Sequence, residues 1–338
     1  MSGYTDELKG LNLPDDAFLG SLLYFSISNA DVDLEAARNE LANAGLSTET
    51  LRKNLRPIDA FSKSSREMGR KFKTVNDIRS ELMVRPVGAD GEQAHRYLML
   101  ERAVSQNGKK RRVFYEKVAE ISFTRGIKKA GEYTGHFVES RRTTDYLGEP
   151  LTAEEDAWLT ACLNTFKERY EHYLTHLDSH AVRSYVREYI YDLSGTCVKE
   201  SGGLYFIKQE HSDQVAKLSS WVKSIGSEFH SLPLLNLADQ REMILEAFED
   251  ETIKEVERLL GEVSKILGDP DRTIEERTYD AYALRAAELS GKVMEYNQML
   301  GARADRAQIE VTAYAQQMMS LGSRIRQSKT LKAKVVPA

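Results

Sequence analysis

HRYLMLERAVSQNGKKRRVFYEKVAEISFT, residues 95–124, decides the fold class. Apolar and polar residues alternate along both halves, the period of strands and not the 3.6-residue period of helices. Asn107-Gly108 lies between the halves and suits a tight hairpin turn. Working outward, ELMVRPV before it and EYTGHFVES after it complete four strands between Arg79 and Arg142, separated by GADG, SQNGKK and RGIKKAG. In the third strand Val113, Tyr115, Ala119, Ile121 and Phe123 are expected to share one face. An antiparallel meander in a predominantly helical chain makes the expected fold α+β.

On the N-terminal side, the first 75 residues read as short helices. DVDLEAARNELANAG opens with acids and ends on Gly45, where a helix-terminating glycine belongs, and STETLRKNL follows directly. In RPIDAFSKSSREMGRKFK, Pro57 precedes a helix expected over Asp59–Lys73. At about 100° per residue Phe61, Met68 and Phe72 fall on one side, and Lys63, Arg66, Arg70 and Lys73 on the other. Such a stripe is ordinarily a solvated outer face, and it also suits phosphate tracking. The hairpin tip adds Lys109, Lys110, Arg111 and Arg112, with His95, Arg96 and Tyr97 in the neighbouring strand. Basic residues beside aromatics on a sheet can bind single-stranded nucleic acid.

On the C-terminal side, Thr152 and Glu155 form a capping-box pattern that starts a helix or helix pair running to about Leu193. TCVKESGGLYFIKQEHSDQVAKLSSWVKSIG reads as a β-hairpin and a helix from Ser212 to Ile225, a small winged unit. Asp239–Leu267 is one helix, opened by DQRE, and Thr273 with Glu276 caps the next. From there Tyr282, Ala286, Leu289, Val293, Tyr296, Leu300, Ala304, Ala307, Val311, Tyr314, Met318, Leu321 and Ile325 recur in steps of three and four. This seam must be buried, by an intrachain hairpin or bundle broken at Gly301, or by a second copy of the chain. The expected segments are 1–75 helical, 76–148 the β-meander, 149–236 helical and winged, 237–328 a helical hairpin or coiled coil, and 329–338 a basic tail.

The 338 residues are 41% apolar and 29% charged with seven prolines, the balance of an ordered, charge-rich chain. A net charge of −5 excludes a global basic field, so only local patches could meet nucleic acid. Cys162 and Cys197 form no CxxC pair, which argues against a disulfide framework and a thiolate zinc site. MSGYTDELKG has no basic or apolar signal region, and no apolar run approaches the ~20 residues of a membrane helix. A cytoplasmic location away from membranes is therefore expected.

No P-loop, GxGxxG, GxSxG, HExxH or EF-hand signature is present. HYLTHLDSH spaces His172, His176 and His180 four residues apart. On a continuous helix the three climb about 12 Å, too far to share one ion at ~2 Å bonds. Helix rotation would carry His172 towards solvent and His180 towards the core. An adjacent pair has no visible third ligand, so no catalytic residue, metal or cofactor is assigned.

RPIDAF, YLMLERAV…VFYEKVAEISF, GGLYFIKQEH and LPLLN followed by QREMI together resemble a family of uncharacterised proteins encoded by bacteriophages and mobile elements, over roughly residues 50–250. The resemblance implies a phage-related context, a host cytoplasm and no active site. The expected protein is non-enzymatic, assembles as a homo-oligomer along Leu289, Val293, Tyr296, Leu300, Val311, Tyr314, Met318 and Leu321, and contacts DNA, RNA or a nucleic-acid-handling protein. Its contact residues would be Lys63, Arg66, Arg70, Lys73 and Lys109, Lys110, Arg111 and Arg112. Two alternatives are an inhibitor or scaffold that binds a host protein through the acidic Asp239–Asp280 region, and a metal-dependent hydrolase using His172 and His176.

Overall fold

The computed structural model describes residues 14, 17–51, 56–68, 70–75, 78–89, 93–106, 109–126, 128–129, 132–133, 136–143, 150–199, 203–269, 276–301 and 303–335. In chain order the elements begin with β1 (Phe18–Ser26), β2 (Asp31–Asp33), α1 (Leu34–Asn43), α2 (Pro57–Arg66) and β3 (Arg70–Val75). The meander follows as β4 (Ile78–Ala89), β5 (Gln93–Gln106), β6 (Lys109–Arg125), β7 (Lys128–Lys129), β8 (Glu132–Tyr133) and β9 (His136–Arg142). Then come α3 (Ala153–Thr175), β10 (His176–Asp178), α4 (Ser179–Asp192), β11 (Thr196–Lys199), β12 (Leu204–Lys208) and α5 (Ser212–Ser224). The chain closes with β13 (Glu228–Leu235), α6 (Ala238–Leu267), α7 (Glu276–Leu300) and α8 (Asp305–Val335). The fold is α+β, and among the described residues no helix is long and apolar enough to cross a membrane.

Two compact units share the chain: Met1–Ala30, Glu40–Thr50 and Val182–Ala338 make the first, Asp31–Asn39 and Leu51–Ala181 the second. In the second unit, β3-β4-β5-β6-β9 form a five-stranded antiparallel sheet. Helices α2 and α3 bury Phe61, Leu159 and Phe166 against Leu82, Leu98, Ile121 and Phe123 of the strands. Thr152 caps α3 with a full capping box, and Glu155 also binds Arg102 and Ser80 beneath the helix. One expectation fails at a bulge: Leu98 pairs with Ala119 but Met99 with Lys117, so the extra residue Val118 reverses the alternation. Ile121 and Phe123 are buried while Tyr115 is 55% exposed on the other face.

In the first unit the N-terminal segment departs from the helical expectation. FLGSLLYFS is β1, paired on both sides in the sheet β11-β12-β1-β13. The hairpin β11–β12 is thus part of a four-stranded sheet and not a free wing. Helices α6, α7 and α8 pack together, and Phe206 and Leu234 of the sheet join their core. Leu289, Val293, Tyr296, Leu300, Val311, Tyr314, Met318 and Leu321 are all buried within the chain, facing residues such as Phe248, Val256 and Val263 of α6. Gly301 takes a φ of +60°, which ends α7, and Asn297 Oδ1 accepts from the Ala304 N–H at 2.6 Å at the start of α8. Helix α6 starts at Leu237 without a side-chain cap, so DQRE does not cap it; Thr273 lies outside the described residues, while Lys329–Val335 continue α8.

Candidate functional site

The expected basic helix is shorter than its pattern. Pro57 opens α2, but the helix stops at Arg66, and Arg70–Val75 form the edge strand β3. RKFKTV alternates and ends β-branched, and pairing with β4 overrides its equally good helical period. Arg70 and Lys73 therefore lie on a strand, and Lys63 and Arg66 on the preceding helix; the side chains of Arg70, Lys73 and Lys109–Arg112 lie outside the described part. Lys63 is engaged already: its Nζ donates to Asp178 Oδ2 at 2.9 Å and sits 4.2 Å from the Tyr173 ring centre.

Arg66 instead joins two arginines that the stripe did not include. Strand β3 reaches along β4 only from Ile78 to Leu82, so Met83–Pro86 border an open groove of about 660 Å³. Arg66, Arg85 and Arg96 line it with Ser62, and Glu81 lies on the same wall. Arg66 Nε donates to Ser62 O at 3.1 Å, and Arg96 Nη1 to His95 O at 3.0 Å. Arg96 also lies over the Phe61 ring at 5.7 Å. Among the described residues none of the three arginines has a carboxylate partner. Burial, and then the charge of Arg66, lower the Arg96 pKa from its ordinary value. The signal available in the sequence was the alternation that puts Arg96 on the helix-facing side of β5, next to a helix end with Arg66.

The two basic clusters do not meet. Lys109, Lys110 and Arg112 open β6 and pair with Gln106, Ser105 and Val104, whereas Arg96 pairs with Pro86 and Ile121. At ~3.3 Å per residue Arg96 lies about 30 Å along β5 from its tip end. On the outer sheet face beside Arg96, Lys117 pairs with Glu120 at 2.9 Å and covers the Tyr97 ring at 3.7 Å, so this lysine is already matched.

The histidine series is broken by β10. Helix α3 ends at Thr175, His176 is extended, and His176–Asp178 pair antiparallel with Asp33–Asp31 of β2. Asp178 then restarts the helix, its Oδ1 accepting from the Ala181 N–H at 2.9 Å. Burial pushes the Asp178 carboxyl up, but Lys63 and this amide outweigh it and hold it below the carboxylate range. His180 is exposed, against the expected inward position, while His172 and His176 are half-buried with rings stacked 4.0 Å apart. Asp31 supplies the carboxylate that the sequence does not show, with Oδ1 2.8 Å from His172 Nε2. One ligand atom from each of Asp31, His172 and His176 lies within 4.8 Å of the others.

A further cleft of about 740 Å³ lies in the first unit, lined by Tyr191, Glu251, Arg285 and Lys292 among others. Several of its charges are matched within the chain. Lys292 donates to Gly195 O at 2.8 Å and lies 3.6 Å from Glu251, Arg285 forks onto Glu255, and Glu251 accepts from the Cys197 N–H. Burial lowers the Lys292 pKa, and burial followed by Glu251 raises that of Tyr191. We read these contacts as ties that fasten α6 and α7 to β11.

Residues 18–329 match DUF6744, a family of unknown function, and with that coverage the chain belongs to it. No curated protein matches the chain, and no solved structure does.

Proposed function

We propose that this DUF6744 protein is a non-enzymatic binding protein that takes phosphate groups of DNA or RNA into the groove formed by Arg66, Arg85 and Arg96. One observation carries the reading: three guanidinium groups face one groove without a carboxylate partner among the described residues. Two like charges beside each other, one of them partly desolvated, are unfavourable in the free protein, and a phosphate offsets both terms at once. The edge strand β3, with Arg70, Lys71 and Lys73 in its sequence, pairs with β4 beside the groove. A bacteriophage or mobile-element origin accords with such a role and belongs to the same reading.

The other expectations find less support. Burial of the α7–α8 seam by α6 removes that seam as a reason for a second copy. The acidic helix α6 spends Glu249, Glu251, Glu255 and Glu262 on Arg306, Lys292, Arg285 and Tyr282 of the same chain, which weakens its case as a docking surface for a basic protein. Fluorescence anisotropy with labelled single- and double-stranded DNA and RNA tests the proposal. Binding that weakens with salt and is reduced by R66A and R96A supports it; no binding to any of the four at low salt overturns it.

A further inference from the structure

We infer that Asp31, His172 and His176 form a binding site for one divalent transition-metal ion, with zinc the best match. Two imidazoles and one carboxylate are the donors zinc accepts, whereas magnesium and calcium prefer oxygen alone. The geometry prepares the site in three ways. Pairing of β2 with β10 holds the Asp31 segment against the end of α3, although Asp31 lies about 140 residues away in sequence. The Thr175 hydroxyl donates to Glu171 O at 3.1 Å and lies 2.9 Å from His176 Nδ1, from which it accepts; an Nδ1–H held there leaves Nε2 as the lone pair. His172 already turns Nε2 to Asp31.

Small side-chain rotations bring three atoms now within 4.8 Å of one another to ~2.0–2.2 Å from a common ion. A cavity of about 40 Å³ adjoins the three residues and has room for a water at a fourth position. The nearby ammonium of Lys63 does not oppose the ion, because Asp178 already neutralises it at 2.9 Å. Three protein ligands and an open position are the arrangement of a site that can bind or activate a water. This site is independent of the arginine groove and stands or falls separately.

The full chain, freed of any affinity tag and stripped with chelator, is dialysed against zinc, and bound metal is counted after gel filtration. Cobalt substitution provides a visible spectrum, and H176A and D31N are treated in parallel, with circular dichroism to verify folding. One ion per chain, a tetrahedral cobalt spectrum and at least a tenfold loss of affinity in both variants support the site. Affinity should also fall on acidification, because only neutral imidazole ligates. Failure of the folded wild type to retain zinc above background overturns the inference. So does unchanged affinity in folded D31N, whose shape matches Asp31, since the ion would then sit elsewhere.

Discussion

Removing Arg96 separates the groove from the basic stripe suggested by the sequence. If three arginines each meet one phosphate, the log–log slope of affinity against salt is about −2 for single strands, at ~0.7 per contact. Raising salt from about 50 to 200 mM then weakens binding about 18-fold. R96A leaves two contacts, a slope near −1.4 and a loss of only about sevenfold over the same range. At the lower salt its affinity should drop by roughly tenfold or more, the worth of one charge-assisted hydrogen bond. Arg96 also packs on Phe61 at 5.7 Å, so R96K serves as the partner variant that keeps charge and most of the stem. R66A should weaken binding to a similar extent while leaving the free protein as stable or slightly more so, because a like charge beside Arg96 is gone. Lys63 is the control, held by Asp178, so K63A should leave the salt slope unchanged. Anisotropy titrations at four salt concentrations measure all of this. A wild-type slope retained in R66A and R96A, or a slope lowered as much by K63A as by R96A, refutes the groove.

Other expectations concern the fold that holds these sites. Burial pushes Glu155 up, but Arg102, the Thr152 amide and Ser80 outweigh it, so it titrates below its ordinary 4.5 in the fold. The unfolded chain thus takes the proton first as pH falls: this stabilisation is complete above about pH 4.5 and lost as pH falls through the lower folded value. In E155Q the half-buried Arg102 loses the Glu155 carboxylate, for about 3 kcal/mol by urea unfolding at neutral pH, and acid sensitivity below about pH 4.5 should flatten. A Cβ at Gly20 would lie 2.0 Å from the Ile207 carbonyl oxygen, so G20A should prise β1 from β12 and lower stability by more than about 3 kcal/mol in the same assay. G301A meets no atom within 4 Å and should cost only the left-handed backbone penalty, about 1 kcal/mol. V293A should lose about 2 kcal/mol of stability and leave the mass by light scattering unchanged, since the seam is covered within the chain.

The meander was legible because alternation, turn glycines and strand length agreed over sixty residues, and the Thr152–Glu155 cap because it is purely local. Strand β1 was not legible: Leu19, Leu22 and Leu23 keep a helical spacing while Leu23 and Phe25 keep a strand spacing, and only its two partners, both beyond residue 200, decide for a strand. The end of α2 failed for a related reason, since Phe61, Met68 and Phe72 fit a helix until β4 offers the Arg70–Val75 segment a pairing edge. In the histidine series the clue was present. Asp178 followed by Ser179 and His180 is a helix-starting signature, and it places a break where the sequence reading allowed either one helix or two. Asp31 could not be found from spacing at all, because β2–β10 pairing alone brings it to His172.

Neither unit occupies an unbroken stretch of chain, and this bears on the order in which the molecule can be built. Phe25 of β1 pairs with Phe229 of β13, so the central strand of one sheet leaves the ribosome some two hundred residues ahead of its neighbour. In the interval the meander, whose strands are joined by short turns, can complete its local pairing. Strand β1 meanwhile waits as an apolar segment with two open edges, a sticky intermediate of the kind that chaperones shield. Slow refolding with one fast and one late phase is the kinetic signature this topology implies, and a cut at any point between β1 and β11 would part that sheet from its strand β1.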